Sequence, residues 1–195
     1  MSAEPLKHPV ARPRPGGGRR YGAVAIALHW LLALMIAASF SVGLYMAGLP
    51  FSPLRLRLFN WHKWAGITIL TLSAVRLLWR LSHPPPPLSA RIVDAMPGWQ
   101  LSVYRSTHLL LYLLFFAVPL LGWAYTSALG LPVVLFGVLP LPDFVAVDKE
   151  FAEAVLKPMH QVSAFLLAAV VGVHIGAALK HRFVDRDDLL DRMWI

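Results

Sequence analysis

The sequence predicts an all-α integral membrane protein, a four-helix bundle with both termini in the cytoplasm. Three observations carry this. First, 57% of the residues are hydrophobic and only 14% charged, against roughly 45–50% and 25% in soluble domains. Second, apolar segments near 22–47, 60–81, 104–127 and 159–180 each reach the about 20 residues that cross a hydrocarbon core. Third, most Lys and Arg fall on one side of those segments when the N-terminus is placed inside.

Residues 1–20 are rich in Pro, Gly and Arg and are expected to form a mobile cytoplasmic tail, leaving 21–195 as one membrane domain. The first span follows Arg19-Arg20 and is nearly free of charge. The second opens with Asn60-Trp61-His62-Lys63-Trp64 and closes at Arg76 and Arg80, before His83 and four prolines. Pro119 and Gly122 in the third predict a bend. The fourth ends at Lys180-His181-Arg182. Segment 131–141 is apolar but short and broken by prolines, so it is expected to lie against the bilayer surface as a loop. Residues 148–157 suit a short amphipathic helix leading into the fourth span.

Charge fixes the orientation. Lys7, Arg12, Arg14, Arg19 and Arg20 in the tail, Arg76, Arg80, Arg91 and Arg105 around the second connection, and Lys180, Arg182, Arg186 and Arg192 at the end fall inside. Only Arg55, Arg57, Lys63, Lys149 and Lys157 fall outside. The net charge of +8 is thus split into short clusters between apolar runs, which points to the lipid bilayer as partner and not to nucleic acid. The chain has no cysteine, which excludes disulfides, iron–sulfur clusters, Cys-ligated zinc and covalent haem attachment.

Ionisable residues inside spans are costly, and they default to function. His29, His62, His108, His160 and His174 lie in or at the edge of spans, whereas His8 and His83 lie in loops and are read as inert. His160 and His174 are fourteen residues apart, nearly four helical turns, so they share a face about 21 Å apart along the axis. One falls near each membrane surface. His62 matches His160 in depth, and His29 matches His174. Facing imidazoles at two depths are suited to holding two b haems, one above the other.

Small residues support that reading: Gly66 follows His62 by a turn, Gly172 and Gly176 flank His174, and Gly43 falls fourteen residues after His29, at the outer level. Arg76, fourteen after His62, is placed to pair a carboxylate at the inner level. A metal site or proton relay would gather its ligands at one depth and include carboxylates, and none of the four segments contains Asp or Glu. His108 competes with His29 for the inner level, although its expected place near the interface fits less well. Tyr104, Arg105, His108 and His181 form either a quinone or proton pocket at the inner edge or an interfacial anchor.

The segments YGAVAIALHWLLALMI, WHKWAGITILTLSAVRLLWRL, YRSTHLLLYLLFFAVPLLGW and LKPMHQVSAFLLAAVVGVHIGAALKHRF resemble the bacterial cytochrome b561 family of the inner membrane. The resemblance runs from Tyr21 to Met193. It implies two b haems on the first, second and fourth helices, held by the matching His29, His62, His160 and His174. It further implies electron transfer to ubiquinone, with oxidation of superoxide to dioxygen as in the family's superoxide oxidase. Arg55, Arg57 and Lys63 would then steer the anion or else bind headgroups, although Asp143, Asp148, Glu150 and Glu153 place acid in the same outer region. Because the family includes hydrogenase cytochrome b subunits, the alternative is a haem-bearing anchor and electron acceptor for a periplasmic redox partner.

Overall fold

The structure, a computed structural model, describes residues 20–88 and 90–194. The expected N-terminal tail, with His8 but without Arg20, lies outside the described residues. Helices α1 (Ala23–Ala47), α2 (Pro53–Ser82), α3 (Ala90–Ala95) and α4 (Gly98–Ala128) lead to a two-stranded hairpin, β1 (Val134–Leu135) and β2 (Leu139–Pro140). The last helix runs without interruption over Lys149–Asp185. It consists of α5 (Lys149–Phe151), a π-helical segment Ala152–Leu156, α6 (Lys157–Lys180) and a second π segment His181–Asp185.

Four of these helices are long and apolar enough to span a membrane. Their large side chains stay exposed in the isolated chain: Leu34 is 69%, Leu78 65% and Val162 68% accessible. A water-soluble bundle would bury such a band, so lipid must cover it. Thin packing between helices has the same origin, since in lipid no hydrophobic force drives helix against helix.

Helices α2 and α4 begin earlier than the apolar segments predicted for them, whereas α1 begins within one residue of its predicted start. Ser52 caps α2 by accepting from Arg55 N (3.3 Å), and Pro53 occupies the first helical position, where its missing N–H costs nothing. The helix therefore starts at Pro53, well before the predicted 60. Likewise α4 starts at Gly98 and not near 104, carrying Pro119 inside it without a break. The expected amphipathic helix at 148–157 exists, with Asp148 accepting from Phe151 N (2.9 Å). It joins the fourth span directly because the π segment absorbs the change of register.

Packing runs α1 on α2, α2 on α4, and α4 on α6. Phe40 of α1 meets Phe165 of α6 edge-on, with centroids 5.6 Å apart, which closes the ring around an interior cavity. Two ends follow. At the distal end, Ala128 N-terminal to the loop and Ala152 after it pack with Ala124 and Leu156. Lys63 donates to the Pro132 carbonyl (3.1 Å) and Trp64 to the Val134 carbonyl (2.7 Å), clasping the hairpin. At the terminal end, Tyr21 N donates to the Arg192 carbonyl (3.1 Å) and Trp30 Nε1 to the Met193 carbonyl (2.9 Å). Arg192 in turn donates to the carbonyls of Pro86 and Pro87. The C-terminal segment is thus folded back against the bundle.

Candidate functional site

A cavity of about 1010 Å³ threads the bundle from end to end, at the upper limit of ordinary ligand sites. Its walls include His29, His62, His108, His160 and His174, so all five span histidines reach the same interior. They gather at two levels. At the distal level the His62 and His160 rings lie with centroids 6.1 Å apart. At the terminal level His29 and His174 are separated by 6.2 Å. A metal–nitrogen bond of about 2 Å to each ring, plus about 1 Å from each nitrogen to its ring centroid, would place the centroids of two imidazoles sharing one ion about 6 Å apart. Both pairs meet that spacing.

Proton placement at the distal level fits as well. His62 Nδ1 donates to the Ser39 carbonyl (3.0 Å), with Ser39 Oγ at 3.2 Å. His160 Nδ1 donates to the Val118 carbonyl (3.0 Å). A carbonyl can only accept, so each neutral ring keeps Nε2 unprotonated and free to bind a metal. Two glycines make room for these rings. A Cβ at Gly43 would stand 3.1 Å from His62 Cε1, and one at Gly122 would stand 3.1 Å from His160 Cε1 and 3.2 Å from its Nδ1. Any larger residue would push the imidazole aside. Gly43, expected at the outer level, lines the cavity there beside the His62 ring. Gly66, Gly172 and Gly176, by contrast, would meet nothing within 4 Å.

At the terminal level three rings converge. His108 Nδ1 donates to the Tyr104 carbonyl (2.7 Å), and its centroid lies 5.3 Å from that of His174. His108 thus stands level with His174, ten residues into α4, about 15 Å along its axis. His29 Nδ1 instead accepts from Arg76 Nη1 (3.1 Å), which in a neutral ring puts the proton on Nε2, so metal binding through that nitrogen requires the bond to Arg76 to be given up. Arg76 faces the cavity at the predicted level, and its guanidinium also lies over the Tyr112 ring (6.0 Å).

Of the inner-edge group, Tyr104, His108 and His181 line the cavity, while Arg105 is exposed away from it. His181 is buried and its Nδ1 faces Asp187 Oδ2 at 2.6 Å; its Nε2 lies 3.4 Å from Gln100 Nε2. Of the three cations expected to steer an anion, Arg55 lines the cavity, Arg57 is exposed, and Lys63 is committed to the Pro132 carbonyl. Sequence reading missed Tyr125, Lys157 and Gln161 at the distal rim, and Arg80, Leu190, Arg192 and Trp194 at the terminal end. The apolar pairs Leu189-Leu190 and Met193-Trp194, set in a charged tail, were the signal that this segment packs.

Four membrane-length helices enclosing facing histidines at two levels define a class, the membrane cytochromes that carry redox cofactors between helices. A family model described as prokaryotic cytochrome b561 matches residues 20–195. The chain is 35% identical over 184 residues to Cytochrome b561 homolog 2 of Escherichia coli (strain K12), covering 89% of this chain and 90% of that protein. It is 30% identical to Probable superoxide oxidase CybB of Yersinia pestis (90% and 96% covered) and 30% identical to Cytochrome b561 homolog 1 of Escherichia coli (strain K12) (89% and 96%). The chain belongs to the prokaryotic cytochrome b561 family: it is a multi-pass membrane protein of electron transport that carries b-type haem.

Proposed function

We propose that this chain is a di-haem cytochrome of the bacterial inner membrane, with both termini cytoplasmic, that passes electrons to ubiquinone by oxidising superoxide to dioxygen. The observation that carries it is the two-level histidine cavity: equal ring separations at both levels, joined by one continuous space. His62 and His160 would hold one haem at the outer level, and His29 and His174 the other at the inner level, with Arg76 available to a propionate. When bound, haem supplies reversible one-electron transfer.

The residues at each end then divide the work. Arg55 at the outer rim attracts a small anion, and each superoxide gives up one electron and leaves as dioxygen. At the inner rim, Tyr104, His108 and His181 line the space where ubiquinone would gain two electrons and two protons. Asp187, bonded to His181 Nδ1 (2.6 Å), would keep that imidazole oriented for proton donation. The name carried by the Yersinia pestis relative supports superoxide as donor.

Stopped-flow mixing of the purified cytochrome with superoxide tests this reading. Haem reduction that is lost when superoxide dismutase removes the superoxide, followed by reoxidation with ubiquinone, is expected; equal rates with and without the dismutase would overturn it. A second reading, an anchor and electron acceptor for a periplasmic redox partner such as a hydrogenase, draws on the exposed apolar loop side chains Phe136, Val138 and Phe144. A stoichiometric periplasmic subunit purifying with the chain would favour it.

A further inference from the structure

The distal rim holds a charge that the steering scheme does not use. Arg55, Tyr125, Lys157 and Gln161 line the cavity there. Glu153 sits among them through two bonds: the Tyr125 hydroxyl donates to Oε1 (2.8 Å), and the Lys157 ammonium donates to Oε2 (2.6 Å). Glu153 and Lys157 are half exposed, with side-chain accessibilities of 50% and 44%, so neither charge is hidden from an approaching solute. Arg55 lies within electrostatic reach of the Tyr125 hydroxyl, and its guanidinium is tied to the Leu49 carbonyl (3.0 Å). The π-helical segment Ala152–Leu156 carries Glu153, and its backbone is pinned because Ala152 is fully buried against α4. Such π segments recur at functional positions.

We propose that Glu153 sets the anion selectivity of the distal mouth by neutralising Lys157 and holding it against Tyr125. In this arrangement Arg55 is the uncompensated cation among these rim residues. The mouth therefore attracts anions only moderately, and the Glu153 carboxylate acts as a brake whose strength depends on salt. The proposal rests on the reading of this mouth as the entry for an anionic donor.

The chain has no cysteine, so Gln161→Cys places a lone thiol one turn beyond Lys157 on the cavity wall. Its rate of modification is measured with a sulfonate-bearing and with a trimethylammonium-bearing methanethiosulfonate, in the haem-loaded protein. Along the helix Glu153 lies about 12 Å and Lys157 about 6 Å from residue 161, so removing the one charge in water changes each rate about twofold and removing the other about threefold, in opposite directions for the two reagents. Glu153→Gln, which keeps the oxygen that accepts from Tyr125, should therefore raise the anion-to-cation rate ratio about threefold at low salt. Lys157→Met should lower it about tenfold, and both shifts should vanish near 1 M salt, where the Debye length falls to about 3 Å. An unchanged ratio in Glu153→Gln, or a shift that persists at 1 M salt, would overturn the proposal. The superoxide arm is separate: reduction by superoxide should quicken about twofold in Glu153→Gln alone. If superoxide fails to reduce even the parent protein while the thiol ratio still shifts, the charge brake stands and the donor assignment falls.

Discussion

Replacing Gly122 by Ala probes the distal level with a single methyl group. The new Cβ would stand 3.1 Å from His160 Cε1 and 3.2 Å from Nδ1, whereas carbon atoms settle at about 3.5–4.0 Å. The imidazole must retreat by about 0.4–0.9 Å, judged from that contact optimum. Metal ligation tolerates about 0.2 Å. The retreat also disturbs the bond from Nδ1 to the Val118 carbonyl (3.0 Å), and loss of such outer contacts lowers affinity about 10–100-fold. That range corresponds to about 1.4–2.8 kcal/mol of haem binding. The assay is haem titration of the apoprotein with a pyridine-haemochrome count, run beside Gly172→Ala and Gly176→Ala, whose Cβ atoms meet nothing within 4 Å. Weakened binding of one haem in Gly122→Ala, with both controls unchanged, is expected. Wild-type affinity for both haems in Gly122→Ala would refute the idea that this glycine makes room for a ligating ring.

His160→Ala should remove the distal haem alone and His174→Ala the terminal one alone, each halving the haem-to-protein ratio in the absorbance spectrum. At the terminal level, His29→Ala should lose one haem and His108→Ala should keep two; the reverse outcome would transfer the ligand role to His108, whose Nδ1 donates to the Tyr104 carbonyl and leaves Nε2 free, as at His62 and His160. Trp30→Phe removes the bond to the Met193 carbonyl, worth about 1 kcal/mol, and should speed proteolysis within 186–194 without changing haem content.

The bundle was legible because hydropathy and charge report lipid exposure directly, and four apolar runs leave few alternatives. The starts of α2 and α4 were not, since Ser52-Pro53 and Gly98 act through capping geometry in polar surroundings that hydropathy does not register. Pairing by depth placed His62 with His160 and His29 with His174, because a regular 1.5 Å rise turns spacing into height. For His108 that height depends on where α4 starts, which hydropathy does not show. Contacts between helices stayed out of reach: nothing in the spacing shows that Gly43 faces the His62 ring, or that Gly122 rather than Gly172 abuts an imidazole. The rim residues Tyr125 and Glu153 are brought together only by the packing of Ala128 on Ala152.

If both levels of the cavity hold a b haem on paired histidines, as proposed, a reduced-minus-oxidised spectrum of the purified chain shows a b-type α band. The haem-to-protein ratio is then two per chain, falling to one in His160→Ala. A ratio of one in the parent protein, or a ratio of two that survives His160→Ala, would contradict it.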